Sequence, residues 1–284
     1  EEKGFFPQDR RIFPNPATDM NVAFPKKNQN HYQPACFKTQ LKLLLQRDWK
    51  DLIRNTKVTG ARYGIAIVLS SLVATLFYEV GKTPLTDLLD FQSHFGALMI
   101  VFLLAMFGTA LPALIAFPDE RPVFLREYST NHYSVFSYFG SRFIMEALNT
   151  FSQIAVMNTI VYWTVSIQMS FIYLFSLSYI MAMGSTALAV LVGASLEDPK
   201  LGYQVLPVVF VPQLLLSGFF VSTDLIPQFI QFTQYFCPLM YAIRLGLLAE
   251  FSDCGLNCRL ALSKLNARED EVWWYWLALI SLFV

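Results

Sequence analysis

Long apolar runs separated by charged breaks dominate this chain, and each break sets the limit of a predicted helix. Residues 63–78 are uncharged between Arg62 and Glu79, two side chains able to snorkel and lengthen a short first span. A second run, FGALMIVFLLAMFGTALPALIAF, lies between Asp90 and Asp119, and Pro112 is expected to bend it. Residues 147–196 hold no charge at all, which is too long for one crossing of about 30 Å at about 1.5 Å per residue. A hairpin is therefore predicted, turning near residues 166–170, with spans at 143–165 and 171–195. The fifth run, residues 201–221, is interrupted by Pro207 and Pro212.

Residues 225–243 are also uncharged, but Pro227, Gln228, Gln231, Thr233, Gln234 and Pro238 break the apolar pattern. Broken backbone survives at membrane depth only when buried in protein or beside water, so a re-entrant or interfacial element is expected here. A sixth helix starts at Val272 with an aromatic cluster, Trp273, Trp274, Tyr275 and Trp276, and breaks off at Val284, too short to span. Its truncation, and Glu1 in place of Met, point to a chain that is part of something longer. Ahead of the spans, residues 1–38 form a Pro-rich linker, with Pro7, Pro14, Pro16, Pro25 and Pro34. Residues 39–57 repeat Leu41, Leu45, Trp49 and Leu52 at helical spacing, with Lys42, Arg47, Lys50 and Arg54 on the other sides. That is an amphipathic helix suited to the membrane surface, or a half-buried helix of a soluble domain. The fold class is all-α: a polytopic membrane protein with six transmembrane helices over residues 58–284, an amphipathic interfacial helix before them and a re-entrant element before the last.

Composition sharpens this picture. At 55% hydrophobic and only 15% charged residues, with mean hydropathy +0.42, the chain must hide apolar surface in lipid rather than only in its own core. Twenty-one Lys and Arg balance 21 Asp and Glu without a basic stripe, which argues against a nucleic-acid partner. With the N-terminus on the cytoplasmic side, 16 of the 21 Lys and Arg fall on that side, so this orientation is expected. Four Cys and three His, scattered along the chain, form neither a disulfide scaffold nor a metal module.

The segment FPDERPVFLREYSTNHYSVFSYFGSRF, residues 117–143, carries the most distinctive pattern. Together with RDWKDLIRN at 47–55, IVYW at 160–163, LLSGFF at 215–220 and PQFIQFTQYFCPLMYAIRLGLLAEF at 227–251, it resembles the membrane domain of ABC transporters of the G subfamily. These are the ABC-2 type exporters of the White, sterol-exporter and breast-cancer-resistance kind, and the resemblance covers residues 38–284. It implies that Glu120, Arg121, Arg126, Glu127 and Tyr128 form a short coupling helix resting on a nucleotide-binding domain, with Glu120 in contact with that domain. It also implies a partner half-transporter and a cavity on the two-fold axis. In that cavity Ala105, Gly108, Val211 and Leu214 would line the substrate path, and Phe219 and Phe220 would plug its outer end. Gly108 departs from the family's multidrug members, which carry an aromatic ring there, and this puts multidrug export in doubt. The same residues read alone are lipid-facing or interhelical packing positions.

Arg142 and Glu146 stand four apart at the start of the third span and are expected to pair with each other. Asn149, Gln153 and Asn158 follow in the same helix and are expected to face protein. Cys254 and Cys258, in DCGLNC, are open to a disulfide on an oxidising side or to remaining free thiols; the resemblance implies that this loop often carries a bridge.

ATP-driven transport needs a phosphate-cradling loop, GxxxxGK[ST], and the sequence has none; Gly81-Lys82-Thr83 lacks the required Gly at position 76. No catalytic residue and no cofactor is expected in this chain, with ATP and Mg implied on a partner domain. Two readings stand: the membrane half of an ATP-driven exporter of amphipathic or lipid-like molecules, and a motor-less structural subunit of a larger membrane assembly.

Overall fold

The computed structural model describes residues 36–82, 88–129, 133–196, 199–218, 232–251 and 271–282, all within the compact unit Cys36–Val284. Regular structure among them is helical throughout: α1 (Phe37–Arg54), α2 (Thr56–Leu76), α3 (Leu88–Ser129), α4 (Val135–Val165), α5 (Phe171–Ser195), α6 (Pro199–Leu216), α7 (Pro238–Glu250) and α8 (Val272–Ser281). Short 3-10 turns occupy Val80–Lys82 and Phe232–Phe236.

The hairpin expected from the uncharged run is present. α4 ends at Val165 and α5 begins at Phe171, with Ser166 in the left-handed region (φ 61°) closing the helix through its N–H to the Tyr162 carbonyl. α3 and α5 form the central pair, and Val101, Phe102, Met106 and Ala110 of α3 are fully buried with Leu174, Leu177, Met181 and Ala182 of α5. Among the described residues, three segments are long and apolar enough to cross a membrane: Thr59–Lys82, Phe91–Ala116 and Phe171–Ser195. α4, at 31 residues, has the length, but its polar residues lower its hydropathy; the apolar parts of α6 and α8 are short. Gln153 and Asn158 are buried, as expected, and Asn149 is half-buried.

α3 differs from expectation. In place of a membrane helix followed by a separate coupling helix, one helix of 42 residues, about 63 Å long, runs through Pro112, Pro118 and Pro122 to Ser129. Each proline removes the N–H that would serve the carbonyl four residues earlier, and the surroundings answer. The Gly108 carbonyl, freed by Pro112, accepts a hydrogen bond of 3.0 Å from Gln153 Nε2 of α4. The Leu114 carbonyl, freed by Pro118, faces Gly193 of α5, where an added Cβ would come within 2.7 Å of it. Two of the three freed carbonyls thus meet a neighbouring helix, the first through a donor on α4 and the second through a close approach of α5.

At the far end of α4, Glu250 closes the hairpin. Its carboxylate, 9% exposed, accepts from the backbone N–H of Gln168 at 3.0 Å and of Met169 at 2.9 Å. Gly81 packs so tightly on this turn that a Cβ would lie 2.0 Å from the Ser166 carbonyl oxygen, and its own carbonyl accepts from Gln168 Nε2 at 2.9 Å. α7, at 13 residues about 20 Å long, is buried along nearly its whole length and is shorter than a hydrocarbon layer.

Candidate functional site

Three polar seams converge where α1, α2 and the last turns of α3 meet the start of α4. The first joins α1 to α4. α1 buries not its leucine stripe but Gln40, Leu44 and Asp48, at positions i, i+4 and i+8. Gln40 Oε1 accepts from the Ser134 N–H (3.1 Å) and the Ser137 hydroxyl (2.9 Å), and Asp48 accepts from the Ser141 hydroxyl (3.3 Å). Ser134 also caps α4, its hydroxyl accepting from the Ser137 N–H. Small hydroxyl residues at 134, 137 and 141 thus form a track on which the polar edge of α1 lies.

The second seam holds the charged end of α3. Glu120, Phe124 and Glu127 share its inward side, at helical spacing. Glu120 pairs with Arg142 and accepts from the Tyr138 hydroxyl at 3.2 Å. Glu127 accepts from Arg47 Nη1 at 3.0 Å and from the Tyr133 hydroxyl at 2.7 Å. Phe124 packs on Tyr138 with ring centroids 4.5 Å apart, and Tyr133 stacks on Tyr138 at 5.9 Å. Burial, helped by the bond to Glu127, pushes the Tyr133 phenol up to about 12, and burial holds Tyr138 at about 12 as well. Both remain hydrogen-bond donors at any physiological pH. Burial works against the charge of Arg47, but Asp48 and Glu127 outweigh it and raise its pKa.

The third seam reaches deeper. Arg62 of α2, its side chain only 10% exposed, forks onto Glu146 at 2.6 and 3.3 Å and donates through Nε to Gln153 Oε1 at 2.7 Å. Gln153 in turn holds the Gly108 carbonyl, so a continuous chain of hydrogen bonds runs from α2 through α4 to the proline-freed carbonyl of α3. The second and third seams border a cavity of about 560 Å3. Arg62, Glu120, Arg142 and Glu146 give it a charged end, and Phe143 and Met183 are among its apolar wall.

These partners correct the pairing expected between Arg142 and Glu146. Arg142 turns to Glu120 and lies 5.9 Å from the Tyr138 ring, while Glu146 is taken by Arg62. The nearly buried Arg62 requires a carboxylate, and its guanidinium reaches Glu146 through two nitrogens. Of the coupling set, Glu120 and Glu127 are engaged inside the chain, and Arg121 reaches the Leu196 carbonyl at 3.4 Å. The outward side of the α3 end instead presents Pro122, Val123, Leu125, Arg126 and Tyr128. Ala105 is buried in the core, and Gly108 admits Gln153, whose Nε2 would lie 3.3 Å from an added Cβ. Val211 is exposed and Leu214 packs on the core, so the structure gathers these four into no single pocket wall among the described residues. Phe219, Phe220, Cys254 and Cys258 lie outside the described residues. No group of three His, Cys, Asp or Glu able to hold a metal occurs among the described residues. Arg62 and Gln153, the hubs of the third seam, were not singled out as a pair; a lone Arg at the entrance of an apolar run was the available signal.

Comparison with known proteins places this arrangement. The family described as ABC-2 type transporter matches residues 39–251. A probable ATP-dependent permease of Saccharomyces cerevisiae is 28% identical over 234 residues, covering 80% of this chain and 22% of that protein. ABC transporter G family member 19 of Arabidopsis thaliana is 27% identical over 79% of this chain and 30% of its own length. The broad substrate specificity ATP-binding cassette transporter ABCG2 of Rattus norvegicus is 23% identical over 76% of this chain and 34% of its own. The chain thus spans between 22% and 34% of the length of these relatives.

Proposed function

Because the chain belongs to the ABC-2 type transporter family, among the membrane domains of the G subfamily, we propose that it is the transmembrane subunit of an ATP-driven exporter of amphipathic or lipid-like molecules. Its motor is a nucleotide-binding domain outside these 284 residues, which carry no phosphate-binding loop of their own. The subunit crosses the membrane six times, with its N-terminus and the end of α3 on the cytoplasmic side, and works beside a second half-transporter. Residues 225–243 are its re-entrant element, and α7 begins within them. The exposed apolar face of α2, Ile65, Val68, Leu72 and Leu76, meets lipid.

The observation that carries this reading is the unbroken α3. About half of its 63 Å exceeds what a bilayer needs. The protruding end is clamped on one side, by Arg142 and Arg47, and bare on the other, where Val123, Leu125 and Tyr128 are about half exposed. Bare apolar side chains among charges suit a protein partner, and a rigid helix delivers that partner's movement to the centre of the α3–α5 core.

Leu125 offers the test. Leu125→Arg places a charge on the bare face without touching either clamp, so thermal stability should change by less than about 0.5 kcal/mol. ATP-driven flux of a fluorescent amphipath, measured with the complete transporter in vesicles, should fall roughly tenfold, the consequence of about 1.4 kcal/mol of lost docking energy. Undiminished flux, or a complex that shows no ATP dependence at all, overturns the reading and leaves a structural subunit.

A further inference from the structure

The charged residues of α1 divide between two sides, Arg47 and Asp48 lying on the packed one. Asp48 turns to the hydroxyl track of α4, whereas Lys38, Lys42 and Lys50 stand along the rim of a groove on another side of the same helix. The groove, about 650 Å3, lies between α1 and α4 and falls within the roughly 300–1,000 Å3 usual for sites that hold small molecules. Its floor is apolar: Leu41, Leu45 and Trp49 from α1 face Ile144 and Leu148 from α4. Among the described residues no Asp or Glu lines it. The apolar track does not stop there, because Ile144, Leu148 and Phe151 continue along α4 as exposed side chains at i, i+4 and i+7.

We propose that this groove binds one anionic phospholipid, its headgroup held by Lys38 and Lys42, one turn apart, with Lys50 adding positive charge at the other end, and an acyl chain laid over Leu45 and Trp49 and down the exposed track of α4. The proposal goes beyond transport and rests only on the membrane topology read above, with α1 at the cytoplasmic surface, where acidic phospholipids concentrate. Charge decides the class of lipid. A zwitterionic headgroup leaves three ammonium groups without a net counter-charge, whereas a net negative one answers them at the place where the long lysine stems keep their heads in the polar layer. Geometry decides in favour of a lipid over a free anion, since the floor beneath the lysines offers an acyl chain a surface that phosphate alone leaves bare.

Trp49 reports directly on the occupant. The complete protein is reconstituted in vesicles containing phosphatidylserine or phosphatidylcholine brominated on the acyl chain. The Trp49 part of the fluorescence is isolated by subtracting Trp49→Phe. At equal mole fraction, brominated phosphatidylserine is expected to quench Trp49 about threefold more strongly than brominated phosphatidylcholine. Lys38→Gln, Lys42→Gln and Lys50→Gln together should bring the two lipids level, as should high salt. Equal quenching of the unaltered protein by both lipids overturns the proposal without bearing on transport. Quenching by neither overturns it too, since the groove is then covered by protein, a second copy or the motor. ATP-driven flux, read separately, tests the transport reading, so the two can fail independently.

Discussion

The two ends of α4 use carboxylates in opposite ways. At its beginning, Glu120, Glu127 and Glu146 each face a guanidinium, most of the partners are about a third exposed, and a cavity of about 560 Å3 lies beside them. At its other end Glu250 is 9% exposed and bonds to two backbone N–H groups of the α4–α5 turn, with Gly81 pressed against the same turn. Pairs between long, partly hydrated side chains can exchange partners at little cost. A buried carboxylate on two peptide donors is held by both at once, and its loss leaves those donors orphaned. One end is therefore held by buried bonds to backbone and the other by partly hydrated ion pairs, the distribution that the proposed lever would need.

Breaking the buried end should have the largest effect on folding. Glu250→Ala leaves the N–H groups of Gln168 and Met169 without their acceptor, and two charge-assisted hydrogen bonds at roughly 1.5–3 kcal/mol each predict a loss of about 3 kcal/mol or more. A thermal midpoint unchanged in detergent would contradict a fixed far end. The third seam comes next. A double-mutant cycle with Arg62→Gln and Glu146→Gln should return a coupling of about 1–2 kcal/mol, since the contact is forked but not fully buried. A coupling near zero would mean that Arg62 is held by Gln153 alone. The smallest effect on stability is expected for the Glu120–Arg142 pair, under about 1 kcal/mol for side chains about a third exposed.

Much of this architecture was legible in the sequence, because charge is expensive in lipid and so marks helix ends. The uncharged run at 147–196 located the α4–α5 turn, and the Leu41–Trp49 stripe located the apolar side of α1. The charged segment after the second span was recognisable from its residues. What stayed hidden depends on the distance between helices. Spacing places Arg142 and Glu146 on one face, but it is silent on Arg62 and Glu120, which approach from α2 and α3. Pro112 predicts a bend within the second span, and it takes the positions of Gln153 and Gly193 to see how α3 meets the carbonyls freed by Pro112 and Pro118. The polar seam of Gln40 and Asp48 was masked for the same reason: a polar residue on an amphipathic helix is assigned to solvent unless its partners, here Ser137 and Ser141, are seen.

Under the proposed function, α3 is a lever clamped to α4 through Glu120 and Arg142. A charge exchange tests it most directly, with ATP-driven flux of the complete transporter as the measurement. Glu120→Arg alone and Arg142→Glu alone should each uncouple ATP use from flux, and the two together should restore most of it. Full coupled flux in either single variant, at unchanged expression and stability, would contradict the account.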